Sequence, residues 1–214
     1  IRDPYAVYAR RVLRLKALDP LARLPDARLR GTVLHKIMEK FILGRSGPED
    51  PATALARLRS TARQVVEESV PWPATRSLYL ARLDRVARDF IADEMQRAAR
   101  GVPLVVEKKG KIGLDSVDFT LTAKPDRIDL LHDGRVHIYD YKTGKPPTFP
   151  QQTHFDKQLR LEAAMAELGA FPALGPVEVE GATHIGLGSD AGEFSARLTP
   201  DVIAESWAGL HRLI

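Results

Sequence analysis

Apolar positions in the first hundred residues recur at helical spacing. Within residues 28–43, Val33, Leu34, Ile37, Met38, Phe41 and Ile42 fall on one side of a 3.6-residue repeat, and Gly44, Ser46, Gly47 and Pro48 close the helix they predict. A second amphipathic stretch covers 51–70, with Leu55, Leu58, Ala62, Val65 and Val66 on its apolar side, and Pro71-Trp72-Pro73 ends it. A third, over 75–99, buries Leu83, Val86, Phe90, Ile91 and Met95. The period changes at Gly101-Val102-Pro103. Residues 104–108 are a short strand candidate and 119–131 alternate. Residues 136–142 alternate again after His132-Asp133-Gly134, the pattern of a β-hairpin. Beyond the loop residues 144–147, the stretch 155–168 reads as a helix, 177–187 and 193–198 as strands, and 200–214 as a closing helix. This order predicts one α/β domain over 1–214, mostly helical over 28–100 and built around a sheet over 101–214.

Strand alternation puts Val136, Ile138, Asp140 and Lys142 on one face. Two are apolar and two charged, so the strand leaves the core and ends in a polar site. Buried charges so placed require a partner or a function. The turn decides what faces them. A two-residue Asp133-Gly134 turn would oppose Asp126 to Tyr141 and leave the Asp126 side chain on the wrong face. A three-residue loop, with Gly134 as the left-handed residue of a G1 bulge, pairs Leu131 with Arg135 and Asp126 with Asp140. Two carboxylates opposed on one face repel unless a cation lies between them, and oxygen ligands favour Mg²⁺ or Mn²⁺. The residues alone equally allow a plainer arrangement, a structural Asp140–Lys142 ion pair with Asp126 as a turn residue.

Composition narrows the chemistry. The 214 residues include no cysteine, which excludes disulfides, thiol catalysis, iron–sulfur clusters and cysteine zinc sites. No apolar run approaches the ~18 residues of a membrane span, and no G-x-x-x-x-G-K-[ST] string supports ATP hydrolysis. Residues 1–100 carry 20 basic and 12 acidic side chains, residues 101–214 carry 12 and 16, and arginines outnumber lysines 22 to 10. A basic half beside an acidic half suits a polyanion held next to a carboxylate site; an arginine-rich solvated helical surface has the same pattern. His35 lies beside the apolar stripe of its helix. Lys108, Lys109 and Lys111 suit either a phosphate contact or a solvated strand end. Trp72, Tyr79 and Trp207 are expected to pack, and His132, His137, His154, His184 and His211 show no metal-ligand spacing.

Pro125-Asp126 followed by Asp140-Tyr141-Lys142 resembles the signature of the PD-(D/E)XK nuclease superfamily. The string Asp140-Tyr141-Lys142-Thr143-Gly144 resembles the D-Y-K-T-G segment of its RecB-like branch. Gly31-Thr32-Val33-Leu34-His35 is similar to the branch's helical G-x-x-x-H motif, Glu107 to the acidic residue of its first core strand, and Gln158-Leu159 to the start of its Q-x-x-x-Y helix. Pro4-Tyr5 with residues 10–15 resembles the opening of such domains in AddB-type proteins. The likeness spans almost the whole chain, with two departures. Ala123 stands where G-x-x-D has glycine, and Glu162 where Q-x-x-x-Y has tyrosine.

The resemblance implies a PD-(D/E)XK (restriction-endonuclease-like) core, a mixed central sheet flanked by helices, with an N-terminal helical insertion. It implies metal-dependent hydrolysis of DNA phosphodiesters. His35, Asp126, Asp140 and the main-chain carbonyl of Tyr141, with Glu107 as a further candidate, would hold Mg²⁺ or Mn²⁺. Lys142 would orient or help deprotonate the attacking water and steady charge on the phosphate, with Gln158 in support. The iron–sulfur cluster of many AddB-type relatives is not expected. By the same likeness the chain, which opens on Ile1, is expected to be an exonuclease domain excised from a longer polypeptide. It would act at DNA ends in double-strand-break repair, with an AddA-type helicase–nuclease partner, in the bacterial cytoplasm at the nucleoid and away from membranes. The alternative is a catalytically weak nuclease-fold module that grips DNA or a partner protein without cutting, against which the presence of Asp126, Asp140 and Lys142 argues. A stand-alone phage- or CRISPR-type exonuclease is a third reading, against which the Pro4-Tyr5 segment argues.

Overall fold

The computed structural model describes residues 4–15, 25–114, 118–188 and 191–214. Helices α1 (Pro4–Arg11), α2 (Ala27–Leu43), α3 (Pro51–Ser69) and α4 (Pro73–Arg100) come first. Local chemistry sets their ends. The Asp26 carboxylate accepts the Leu29 amide and Asp50 accepts those of Ala52 and Thr53, while Pro51 and Pro73 occupy first-turn positions where a missing N–H costs nothing. Strands β1 (Gly101–Val106), β2 (Gly110–Leu114), β3 (Phe119–Ala123), β4 (Arg127–Leu131) and β5 (Val136–Lys142) follow. The chain ends with α5 (Phe149–His154), α6 (Gln158–Glu167), β6 (Val179–Gly186), β7 (Gly192–Ser195) and α7 (Pro200–Leu213).

Five strands form a sheet in the order β1-β4-β5-β6-β7, with β5 and β6 parallel and every other pair antiparallel. The sheet is mixed and covered on both faces, as expected. Period-two alternation divides its side chains. Tyr139, Tyr141, Ile185 and Leu187 pack with α2, α3 and α4, including Trp72 and Tyr79; Ile128, Val136, Ile138 and Ala182 pack with α6 and α7, including Trp207. The helical face also buries an ion network. Arg127 binds Asp129 (Nε–Oδ1 2.6 Å) and Glu94 (Nη1–Oε2 2.7 Å), and Arg97 binds Glu94 in turn (2.9 Å). Removing one partner from such a set leaves an uncompensated buried charge, so the network ties α4 to β4.

The hairpin has the expected three-residue loop. The Leu131 amide donates to the Arg135 carbonyl (2.8 Å), Gly134 has φ 88°, and Leu130, Ile128 and Arg127 oppose Val136, Ile138 and Tyr139. The ladder ends at Arg127–Tyr139, and Asp126, just before β4, would stand opposite Asp140 if that register continued by one residue.

Several expected boundaries differ. The alternation over 119–131 is not one strand: it breaks at 124–126, and β3 pairs with β2 in a separate two-stranded sheet. Pro125 has no N–H for a ladder and favours a break. The apolar pattern of β2 is diluted by Gly110 and Gly113; at Gly110 a side chain would strike the Phe171 ring. The first core strand starts at Gly101 rather than 104 and stops before Glu107, whose φ of 50° is left-handed. The helix expected over 155–168 begins at Gln158. The preceding segment holds α5, where the Thr148 amide donates to the Gln151 side chain (2.7 Å).

Candidate active site

The site lies where β4 begins and β5 ends. In an extended strand the N–H and C=O of one residue point to the same side. The amide of Tyr141 points toward β4 but meets no carbonyl there; it donates to Asp126 Oδ2 at 2.7 Å. The residue opposite Tyr141 in this register is Pro125, which has no N–H, so β4 offers the Tyr141 carbonyl no ladder donor. The proline thus leaves a main-chain oxygen and a carboxylate side by side.

His35 reaches this carboxylate from α2. Its Nδ1 lies 3.0 Å from Asp126 Oδ1 and 3.5 Å from Glu107 Oε1. The three residues present donor atoms within 4.8 Å of one another, one imidazole nitrogen and two carboxylate oxygens. Glu107 arrives through its left-handed backbone just past β1, with its amide bonded to the Asp126 carbonyl (3.2 Å). A non-glycine residue held there costs about 1–3 kcal/mol, and such outliers gather at functional sites. Lys124 pairs with Glu107 from the solvent side.

A second set of groups surrounds Asp140. His184 Nδ1 lies 2.9 Å from Oδ2, Lys142 Nζ 2.8 Å from Oδ2, and Gln158 Nε2 donates to Oδ1 at 3.1 Å. The same Gln158 amide reaches Glu162 Oε1 at 3.2 Å. Glu162 is only 4% exposed, and its Oε2 has no partner among the described residues.

The charge balance follows from these contacts. The hydrogen bond to Asp126 raises the His35 imidazole above its ordinary value. Burial raises Asp126 even though His35 opposes the shift. Burial also pushes against ionisation of Asp140, but the His184 hydrogen bond and the Lys142 charge outweigh it and hold that carboxyl below the usual range. Glu162 has no such cation in contact among the described residues: burial, with Asp140 and Asp126 nearby, pushes it up to about 8.

The structure therefore brings His35, Glu107 and Asp126 together as one donor group. Asp140, Lys142 and Gln158 form the adjoining one, and the Tyr141 backbone lies between them. Lys108, Lys109 and Lys111 are exposed. Three contributors escape a reading by motif. His184 faces Asp140 only because β6 lies parallel to β5 with Asp140 opposite His184; alternation within 177–187 places it on the correct face, but nothing local sets that register. Lys124 sits in the break after β3. Glu162, one helical turn after Gln158, turns inward onto it rather than toward solvent.

A divalent cation suits these donors: the imidazole and carboxylate oxygens are hard or borderline ligands, and a buried carboxylate pushed toward its neutral form gains most from an entering positive charge.

One comparison with known proteins gives a family. A family model described as the PD-(D/E)XK nuclease superfamily matches residues 3–202. An uncharacterized protein of Rickettsia bellii (strain RML369-C) is 25% identical over 171 residues, covering 77% of this chain and 20% of its own length. Uncharacterized protein RC0550 of Rickettsia conorii is 24% identical over 171 residues with the same shares. The chain thus spans about a fifth of the length of the curated relatives it matches. A solved structure described as the crystal structure of SSO0001 aligns over 86% of this chain and 88% of that one, at 13% identity and a TM-score of 0.32.

Proposed function

The chain belongs to the PD-(D/E)XK nuclease superfamily, and from that membership we propose that it is a metal-dependent deoxyribonuclease whose reacting groups are those at the β4–β5 strand ends. The observation that carries the proposal is the meeting of His35, Glu107 and Asp126, donors drawn from three separate elements, beside Asp140 and Lys142. In this reading His35, Asp126, Asp140 and the Tyr141 carbonyl hold the metal, with Glu107 as a further ligand. Oxygen-rich donors favour Mg²⁺ or Mn²⁺. A divalent ion held by these residues would supply Lewis acidity toward a phosphoryl oxygen and a water.

The chain's own residues do the rest. Lys142, held by Asp140, presents an ammonium where negative charge develops on the phosphate and orients the attacking water. Gln158 and His184 fix the Asp140 carboxylate through both oxygens, so it does not rotate away when a ligand enters. Glu107 is kept at its post by Lys124 and by its backbone turn.

The finer reading is an exonuclease working at DNA ends in double-strand-break repair, as part of a helicase–nuclease complex with an AddA-type partner at the bacterial nucleoid. Its supports are the RecB-like motif order and the much greater length of the matched relatives, which leaves room for further domains. Among the described residues no helix is long and apolar enough to cross a membrane.

The test is cleavage of end-labelled linear DNA by wild type and Lys142→Ala, with Mg²⁺, Mn²⁺ or EDTA. Metal-dependent cleavage that drops about 10²–10³-fold in the variant, with DNA binding retained, is expected. Binding without cleavage under every metal condition would replace the nuclease with a non-cutting DNA-binding module.

A further inference from the structure

A cavity of about 410 Å³ lies between α2, α4 and the loops after β5 and β6. Its size is that of a small-molecule site. Leu34, Ile37 and Val86 form apolar walls, and Arg30, Arg82 and Arg85 stand around them. Five arginines of α3 and α4 are committed elsewhere: Arg57 to Glu49, Arg59 to Asp84, Arg76 to the Val70 carbonyl, Arg97 to Glu94 and Arg100 to Glu180. Among the described residues the side chains of Arg30, Arg82 and Arg85 make no ion pair and no hydrogen bond, and Arg30 Nε is buried without a partner. Unpaired guanidiniums around an apolar cavity call for a ligand with an anionic group and a flat apolar body.

The cavity also adjoins the reacting groups. Leu34 precedes His35, and Thr143 and Gly144, which line the cavity, follow Lys142 directly. One residue of chain, about 3.8 Å, separates a cavity wall from a reacting group on each of two elements.

We propose that this cavity is the subsite for the terminal nucleotide of a DNA strand, its base lying against Leu34, Ile37 and Val86 and its phosphate against Arg82 and Arg85. The inference rests on the nuclease reading and deepens it by assigning the strand end to this cavity. A nucleotide within a duplex would have to be unstacked from both sides to enter, whereas a terminal one loses at most one stacking neighbour. A phosphate held here directs the next backbone position toward Lys142, so end binding and cleavage near the end are one arrangement.

The test reads binding in EDTA, without catalysis. Labelled single strands are compared as a linear form with 5′-phosphate, a linear form with 3′-phosphate, and a circle of the same sequence, using wild type and the double variant Arg82→Ala/Arg85→Ala. Both positions are exposed on α4, so the variant keeps its core. Wild type should bind one linear form about tenfold tighter than the circle, and the double variant should bring that ratio to about one. A preference for either phosphate supports the subsite and names the end it takes. Equal binding of circle and linear strands by wild type, no binding of linear strands, or a ratio unchanged in the variant overturns it. The readout needs no cleavage. A protein that cuts with Mg²⁺ but binds circles and ends alike loses only the subsite, and one that prefers ends but never cuts loses only the nuclease reading.

Discussion

Replacing Glu162 by glutamine should make the chain more stable at neutral pH, by an amount that follows from where the carboxyl sits. Glu162 is buried on α6 without a cation in contact among the described residues, and burial pushes it up to about 8. In the unfolded chain a glutamate titrates near 4.3. Because the folded value is the higher one, its stabilising contribution is complete below about pH 4.3, falls as pH rises, and is lost by about pH 8. At about 1.4 kcal/mol per pH unit, the loss at pH 7 is roughly 4 kcal/mol. Glutamine has the neutral shape that the fold prefers and keeps an oxygen for the Gln158 amide; the unpaired second atom of the side chain is common to both and cancels. Glu162→Gln should therefore match wild type near pH 4.5 and exceed it by roughly 4 kcal/mol at pH 7, a Tm rise of roughly 10 °C for a chain of this size. Urea denaturation in EDTA, followed by the fluorescence of Trp72 and Trp207 across this pH range, measures both curves. Parallel wild-type and variant curves would refute the reasoning, because they would mean that Glu162 ionises in the fold as freely as in water.

Three further outcomes are expected. His184→Ala removes a hydrogen bond from Asp140 Oδ2 and should weaken Mn²⁺ binding or activity about 10–100-fold, measured by calorimetry and cleavage, with DNA affinity unchanged; unchanged metal binding and activity would assign His184 to packing alone. Apparent Mn²⁺ affinity should rise with pH through and above the ordinary histidine range, since His35 is raised by its bond to Asp126 and Asp126 by burial, and both must give up protons to ligate; a pH-independent titration would contradict this. Gly188→Ala should push a methyl group into the Thr143 carbonyl and displace the end of β5, lowering cleavage about 100-fold in the end-labelled DNA assay, and wild-type activity in that variant would show that the strand end yields freely.

Particular elements show why some features were readable in advance. Gly134 takes the left-handed conformation that a three-residue loop requires, and from it the pairing of β4 with β5 follows without knowledge of anything else. The three long helices have complete apolar stripes and strong stop signals. The β2–β3 sheet was missed because two glycines occupy a five-residue strand, and α5 because six residues carry too little periodicity to stand out from a loop.

Turn chemistry and alternation, which act over a few residues, were thus enough to set the β4–β5 register and to put Asp140 and Lys142 on one face. The tertiary structure decided the remainder. His35 meets Asp126 across 91 positions of sequence and His184 meets Asp140 across 44. Glu107 joins them through a backbone turn that no pattern announces, and Glu162 is buried beside them rather than exposed. Each of these depends on how a helical layer and a parallel strand come to rest against the sheet. That packing is set by summed contacts over the whole core, and a short-range period along the chain does not encode it.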